Sequence, residues 1–277
     1  MEFIFRRTYR GPVKGVILDW AGTAVDYGSF APTAVFLHLF ESRHVTITAE
    51  DARSGMGLMK KDHLRTILGR PSVAEAWKSV HGAPASEDDV DDLFEHFVPM
   101  QLAVLKEYAR PIPGLLEVVK ELRGRGIKIG STTGYIRSMM DVLAPKASEN
   151  GYDPDCIVCP DEVPAGRPFP WMCYQNAIKM EVYPMQALVK VGDTLPDIAE
   201  GLNAGMWTVG LSLTGNLLGL SEIEAKTMLP EKRREACKKI EAQLYQEGAH
   251  IVIDGIWDLP HALDEIEYRI SMGEHPD

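Results

Sequence analysis

The chain has 277 residues, 45% of them apolar, and a formal net charge of −11. That size suits one large α/β domain, or a core domain with a smaller insert. No run approaches the roughly 20 apolar residues that span a bilayer. The negative charge argues against nucleic acid or an anionic membrane surface as partner, and it requires local cations wherever an anionic ligand binds.

The opening stretch, MEFIFRRTYRGPVKG, lacks the long apolar run and small-residue cleavage site of a signal peptide. It reads as an ordered extension or a frayed tail. VKGVILD (13–19) reads as a buried strand ending in an acid. From 28 to 109 the chain shows helical patterns (PTAVFLHLFESR, AEDARSGMGLMKKDHLRTIL, VAEAWKSVHG, EDDVDDLFEHFVPMQLAVLKEY) and no convincing strand. This is too long for a crossover and predicts an inserted helical cap domain. The core is then 1–27 with 110–277.

Beyond the insert, helix and strand alternate. A helix over 114–126 ends in glycine, and a strand, IKIGST, follows over 127–132. The next helix is expected to break or kink near Pro145. DCIVCP is the third strand. Its Cys156 and Cys159 form a CxxC, but no second ligand pair follows at zinc spacing. Two small buried thiols in a reducing cytoplasm explain it. A helix with proline at its start, the strand ALVKVGD (187–193), a helix LPDIAEGLNAG and the strand MWTVGLSL come next. One charged helix over about 221–247, a strand HIVID and a last helix complete the chain. The pattern predicts a Rossmann-like parallel sheet with helices on both faces. Ligands of such sheets bind outside the carboxyl ends of the strands, where Asp19, Ser131–Thr133 and Asp193 fall.

Four short motifs carry chemistry. Asp19-Trp20-Ala21-Gly22-Thr23 mounts a carboxylate at a strand end before a glycine turn, where backbone N–H groups can meet a phosphoryl oxygen; the bland alternative is a turn-capping aspartate. Ser131-Thr132-Thr133-Gly134 offers hydroxyls and amides to phosphate, or else Thr133 is an ordinary helix cap. Arg167, between Pro164 and Pro168, suits fork-like phosphate contacts, or is a surface arginine. Asp193 and Asp197 add carboxylates that would repel an ionised Asp19 unless a hard divalent cation such as Mg²⁺ joined them; helix capping is the alternative for Asp197.

In this order the motifs resemble the haloacid dehalogenase superfamily throughout 13–28 and 111–215. The resemblance implies an aspartyl-phosphate intermediate on Asp19. It also implies Mg²⁺ held by Asp19, the Ala21 carbonyl and Asp193, with Asp197 supporting the site from its second shell. Thr133 and Arg167 would hold the phosphate. One position departs. Phosphatases of this superfamily carry a general-acid aspartate two residues after the nucleophile, and here that residue is Ala21, so an alkoxide leaving group would receive no proton from the usual place.

In the insert, Lys60 stands beside Met56, Leu58 and Met59, three residues before His63 on the same helical face; two surface lysines would be the plain reading of Lys60-Lys61. DWAGTAVDYG, MGLMKKDH, GSTTGY, PAGRPFPWMCY and KVGDTLPDIAEGLNAGMWTVG together resemble the phosphonoacetaldehyde hydrolase family. That resemblance implies cleavage of a small phosphonate aldehyde through a Schiff base on Lys60, which makes an electron sink and renders a leaving-group acid unnecessary. It further implies Met56 and Tyr135 at the substrate and a homodimer through the cap. His63 is the candidate proton carrier for imine formation, with a structural cap histidine as its plain alternative. Ser29 falls where some relatives carry cysteine. Lys60 must be neutral to attack, so an apolar cap interface and nearby cations such as Arg167 are expected to lower its pKa. The competing readings are a phosphomonoester phosphatase or sugar phosphomutase, and a phospholigand-binding protein without catalysis.

Overall fold

The computed structural model describes residues 8–276; the first seven residues of the expected N-terminal extension, and Asp277, lie outside it. Six strands form one parallel sheet: β1 (Gly15–Leu18), β2 (Lys128–Thr132), β3 (Cys156–Val158), β4 (Leu188–Gly192), β5 (Trp207–Leu211) and β6 (Ile251–Ile253). Their order is β3-β2-β1-β4-β5-β6, with every pairing parallel. The predicted Rossmann-like class is therefore the one observed. β1, β4 and β5 are buried at every position because helices cover both faces. The chain leaves β1 first toward β2 and later returns to β4 on its other side. That reversal opens a crevice at the carboxyl ends of β1 and β4.

Between β1 and β2 run α1 (Phe30–Ser42), α2 (Ala49–Arg53), α3 (Lys60–Leu68), α4 (Pro71–His81) and α5 (Glu87–Val104). Thr48 with Asp51, and Ser86 with Asp89, form capping boxes that start α2 and α5. The buried faces interlock through Phe36, Leu39, Phe40, Leu64, Ile67, Leu93 and Phe97. Phe36 stacks on Phe97 with ring centroids 4.5 Å apart.

The remaining helices are α6 (Leu115–Gly124), α7 (Arg137–Glu149), α8 (Trp171–Lys179), α9 (Leu195–Asn203), α10 (Glu222–Thr227), α11 (Pro230–Glu247) and α12 (Leu259–Met272). Of the break or kink expected near Pro145, the break does not occur: α7 carries Pro145 inside it and runs on to Glu149, its buried Met139, Met140, Leu143 and Ala147 holding it to the core. One expectation needs correction. The charged stretch after β5 is two helices, because Pro230 starts a new one at its first turn.

Candidate active site

The loop after β1 places Asp19 at the sheet's carboxyl edge. Its N–H donates to the Val191 carbonyl of β4 at 3.0 Å, and the Trp20 carbonyl accepts from Thr23, Ala24 and Val25. Gly22 has φ +89°, and a Cβ built there would lie 2.3 Å from Asp193 Oδ2. The turn therefore admits only glycine as it closes on the second aspartate.

Three buried aspartates meet at this edge. Asp19, Asp193 and Asp197 each offer an oxygen, and all three oxygens lie within 4.8 Å of one another. Asp193 is held by neutral donors, Thr23 Oγ1 at 2.9 Å and the Asn216 N–H at 2.7 Å. Burial, followed by the charges of Asp19 and Asp197, pushes its carboxyl well above the ordinary range. Asp197 differs. Its burial works in the same direction, but Arg167 and Lys190 outweigh it and hold the carboxyl below its ordinary value. Its Oδ1 accepts from Lys190 Nζ at 2.6 Å and lies 3.1 Å from Arg167 Nη2. Its Oδ2 takes the hydroxyl of Thr194 at 2.5 Å, in the capping box that opens α9. Asp197 thus also fulfils the capping role that was its plain alternative.

Arg167 is 3% exposed and reaches across the crevice. Nη2 donates to Asp19 Oδ1 and to Thr132 Oγ1, each at 2.7 Å, Nε donates to Glu200 Oε2 at 2.9 Å, and Nη1 donates to the Gly57 carbonyl at 3.2 Å. No hydrogen bond from the described residues reaches Asp19 Oδ2. Asp19 is itself raised, first by burial and then by Asp197, with Arg167 and Lys190 opposing.

With Glu200 there are four buried acids here against two buried cations, Arg167 and Lys190. With the four acids ionised and the nearby buried Lys60 in its neutral form, the cluster carries two excess negative charges, which one hard divalent cation would balance with oxygen ligands. The residues present therefore fit such a cation.

Lys60 approaches from α3. It is 3% exposed, its Nζ lies 5.0 Å from the Tyr135 ring centroid and 6.0 Å from that of Phe36, and no ion pair within 4 Å involves it among the described residues. Burial brings its ammonium down to about 8; Arg167 pushes the same way, while Asp19 and Asp26 oppose. Lys61 instead pairs with Asp91 near the surface. At pH 7 roughly one Lys60 amine in ten is then neutral, against about one in 10³ for an ordinary lysine.

Asp19, Ala21, Met56, Lys60, Thr133, Tyr135 and Arg167 line one small pocket, with Gly57 and Thr194. Its free volume is about 20 Å³, room for a water but not for a phosphonate. Met56, Gly57 and Lys60 of the inserted segment form one wall of this closed pocket, facing Asp19, Thr133 and Arg167 of the core. Thr133 does not cap α7, which starts at Arg137; its hydroxyl accepts from the Tyr135 N–H at 3.1 Å. The Tyr135 hydroxyl is buried without a partner. The Ala21 carbonyl accepts from Ser29 Oγ at 3.0 Å.

His63 is not in the pocket lining but behind it, 4.3 Å from the Phe36 ring. Its Nε2 lies 2.9 Å from the Ala52 carbonyl. A carbonyl only accepts, so Nε2 carries the proton and Nδ1, buried and unpartnered, is the free acceptor. Burial and then Lys60 hold His63 well below its ordinary value, hence neutral. The CxxC thiols lie elsewhere, with burial pushing Cys156 up to about 11 and Cys159 up to about 12, poor thiolates at neutral pH. A larger cleft of about 550 Å³ lies past Asp26, lined by Tyr27, Tyr108, Arg110 and Glu222. It lacks the aspartate triad, so size does not choose the site here.

Sequence reasoning missed Lys190 and Glu200, and within the Ser131–Gly134 motif it favoured Thr133 over Thr132, whose hydroxyl meets Arg167 and Glu200. A lysine inside the apolar strand LVKVG was a signal for a buried ion pair. Glu200, three residues after Asp197 on the same face of α9, was another.

The fold, the aspartate triad and the buried arginine define a class: the chain belongs to the haloacid dehalogenase-like hydrolases, whose family model matches residues 13–205. Within that class its place is with the phosphonoacetaldehyde hydrolases. It is 49% identical to the phosphonoacetaldehyde hydrolase of Bacillus anthracis, over 92% of this chain and 97% of that one. It is 47% identical to a phosphonoacetaldehyde hydrolase of Syntrophobacter fumaroxidans, over 99% of both. A phosphonoacetaldehyde hydrolase-like protein of the same organism is 54% identical, also over 99% of both chains. The crystal structure of a phosphonoacetaldehyde hydrolase-like protein from Oleispira antarctica superposes with TM-score 0.97 at 38% identity, covering both chains fully.

Proposed function

We propose that this hydrolase cleaves the C–P bond of phosphonoacetaldehyde, giving acetaldehyde and phosphate, with Mg²⁺ as its cofactor. The observation that carries the reading is Lys60: a buried amine brought down to about 8, lining the same pocket as Asp19 and Arg167, where Ala21 stands in place of an acid.

A departing carbanion is a worse leaving group than an alkoxide. In the proposed sequence the neutral Lys60 amine adds to the aldehyde carbon, and the resulting carbinolamine takes up one proton and loses water, forming a protonated imine. An Asp19 oxygen then attacks phosphorus. The C–P electron pair flows into the C=N⁺ bond, leaving an enamine on Lys60 and an aspartyl phosphate on Asp19. Arg167 meets the negative charge on the phosphoryl oxygens. Protonation of the enamine carbon, hydrolysis of the resulting imine and hydrolysis of the acyl phosphate regenerate both residues. Met56 and Tyr135 wall the imine off from bulk water, and Thr133 binds the phosphate. Neutral His63, with Nδ1 free, is our candidate for carrying the proton during imine formation. Asp19, Asp193 and the Ala21 carbonyl would hold Mg²⁺, with Asp197 supporting them. When bound, the ion supplies charge neutralisation and polarises a phosphoryl oxygen. A homodimer through the inserted helices and a cytoplasmic location complete the proposal; light scattering on the purified protein checks the first.

The deciding experiment is borohydride reduction in the presence of phosphonoacetaldehyde, followed by peptide mapping. The expected adduct is on Lys60. Trapping on Lys61, or no trapping by a protein that turns the substrate over, would refute the Schiff base. Lys60→Arg is expected to fold and lose C–P cleavage, since a guanidinium stays protonated.

A further inference from the structure

We propose that Arg53 is a positioning residue that couples docking of the inserted helices to the geometry of Asp193, acting through Asn216. The inference rests on the metal role given to Asp193 above.

Arg53 is the last residue of α2, and it does not line the catalytic pocket. Its guanidinium leaves the insertion and enters the core. Nη1 donates to the Gly28 carbonyl at 2.7 Å, to Asn216 Oδ1 at 3.1 Å and to the Asn216 carbonyl at 3.4 Å. Nη2 donates to the Gly219 carbonyl at 3.4 Å. Asn216 answers with Nδ2 to the Arg53 carbonyl, also at 3.4 Å. The Phe30 ring lies against the cation, 5.2 Å from centroid to Cζ. One side chain thus grips both the segment that leaves the core (Gly28) and the loop that follows β5. Nη1 alone bridges the two loops and Nη2 adds the Gly219 contact, so the planar guanidinium holds three residues in one fixed geometry, which the single nitrogen of a flexible ammonium would not reproduce.

The gripped loop also serves the aspartate cluster. The N–H of Asn216, the residue Arg53 holds, donates to Asp193 Oδ2 at 2.7 Å. Next to it, a Cβ on Gly215 would lie 2.2 Å from the Asp193 Cβ, so the loop backbone rests directly on the aspartate. Thr214 Oγ1 donates to the Gly22 carbonyl at 2.9 Å, and the Gly28 N–H donates to the Thr214 carbonyl at 2.8 Å. The inserted helices, the exit segment and the Asp193 carboxylate are therefore joined by one chain of hydrogen bonds. When the insertion lifts, Arg53 withdraws from Asn216, and the donor that orients Asp193 loses its outer support. Linkage makes this reciprocal: an ion that favours the oriented carboxylate also favours the docked insertion.

The experiment is a calorimetric titration of the full chain with Mg²⁺ alone, comparing the parent with Arg53→Gln, Asn216→Ala and the double variant. Circular dichroism first establishes that each is folded. Each single change is expected to weaken Mg²⁺ binding about fivefold or more, and the double variant no further than the weaker single, because both cut one pathway. Asn216→Ala keeps the backbone N–H to Asp193, so its effect reports the grip rather than the lost donor. Arg53→Lys is expected to recover only part of the affinity. Variants that bind Mg²⁺ like the parent, even with lowered stability, would make Arg53 a mere bolt and overturn the inference. So would strictly additive losses. A parent that binds no Mg²⁺ would overturn both this inference and the metal reading beneath it.

Discussion

Lys60→Met tests the electrostatic state of the site without any substrate. The side chain is 3% exposed and its ammonium sits at about 8, against an ordinary 10.5. That depression corresponds to about 3 kcal/mol by which the fold disfavours the protonated lysine. Between pH 8 and 10.5 the unfolded chain binds the proton and the folded one does not, so the parent gains stability as pH rises through this window. Below pH 8 the penalty is present in full; above 10.5 both states are neutral and it vanishes. Methionine has a similar length and no charge. The variant is therefore expected to be more stable than the parent by up to about 3 kcal/mol at pH 7, roughly 5 °C in melting temperature, with the gap closing by pH 10.5. Urea unfolding of both proteins in chelator at pH 6, 7, 9 and 10.5 measures the difference; groups remote from Lys60 cancel in the comparison, while His63, Asp19 and Asp26, which feel its charge, titrate below the pH 8–10.5 window that carries the test. A gap that does not change with pH, or a less stable variant at pH 7, would refute the reasoning.

Three further outcomes follow from the same geometry. Glu200→Ala strips the acceptor from Arg167 Nε and from Thr132 Oγ1, leaving both donors buried and unsatisfied, while Asp19 and Asp197 still balance the charges of Arg167 and Lys190. It is expected to cost about 1–3 kcal/mol in urea unfolding and on the order of 100-fold in kcat/KM with phosphonoacetaldehyde; unchanged kinetics would dissociate Glu200 from the aim of Arg167. Gly22→Ala forces a methyl toward Asp193 at φ +89°. It should lose about 1–3 kcal/mol along with turnover, and a parent-like variant would show that the turn can relax. Phe36→Ala empties the space between His63 and Phe97. The expected loss is about 3–5 kcal/mol, and admitted water should return Lys60 toward its ordinary pKa, read as a more alkaline profile for imine trapping.

The alternation of buried strands with amphipathic helices is a local pattern, and it was enough for the sheet, the interruption after β1 and the placing of Asp19, Thr133 and Asp193 at strand ends. Glycine turns and the substitution at Ala21 are local too, and they named the kind of chemistry to look for. Boundaries failed where local signals compete. Pro145 reads as a breaker, yet the buried face of α7 outweighs the one missing donor, and Pro230 splits a charged stretch that looks like one helix. The electrostatics lay beyond reach of any short window. Arg167 meets Asp19 across 148 positions and Glu200 across 33, while Arg53 and Asn216 are 163 apart. Whether Lys60 is a solvated cation or a usable amine depends on which rings and charges close around it. Those neighbours come from α1 and from the loops after β1, β2 and β3. Charge state is set by burial and by the sum of all nearby fields, and both are properties of the folded chain rather than of neighbouring letters.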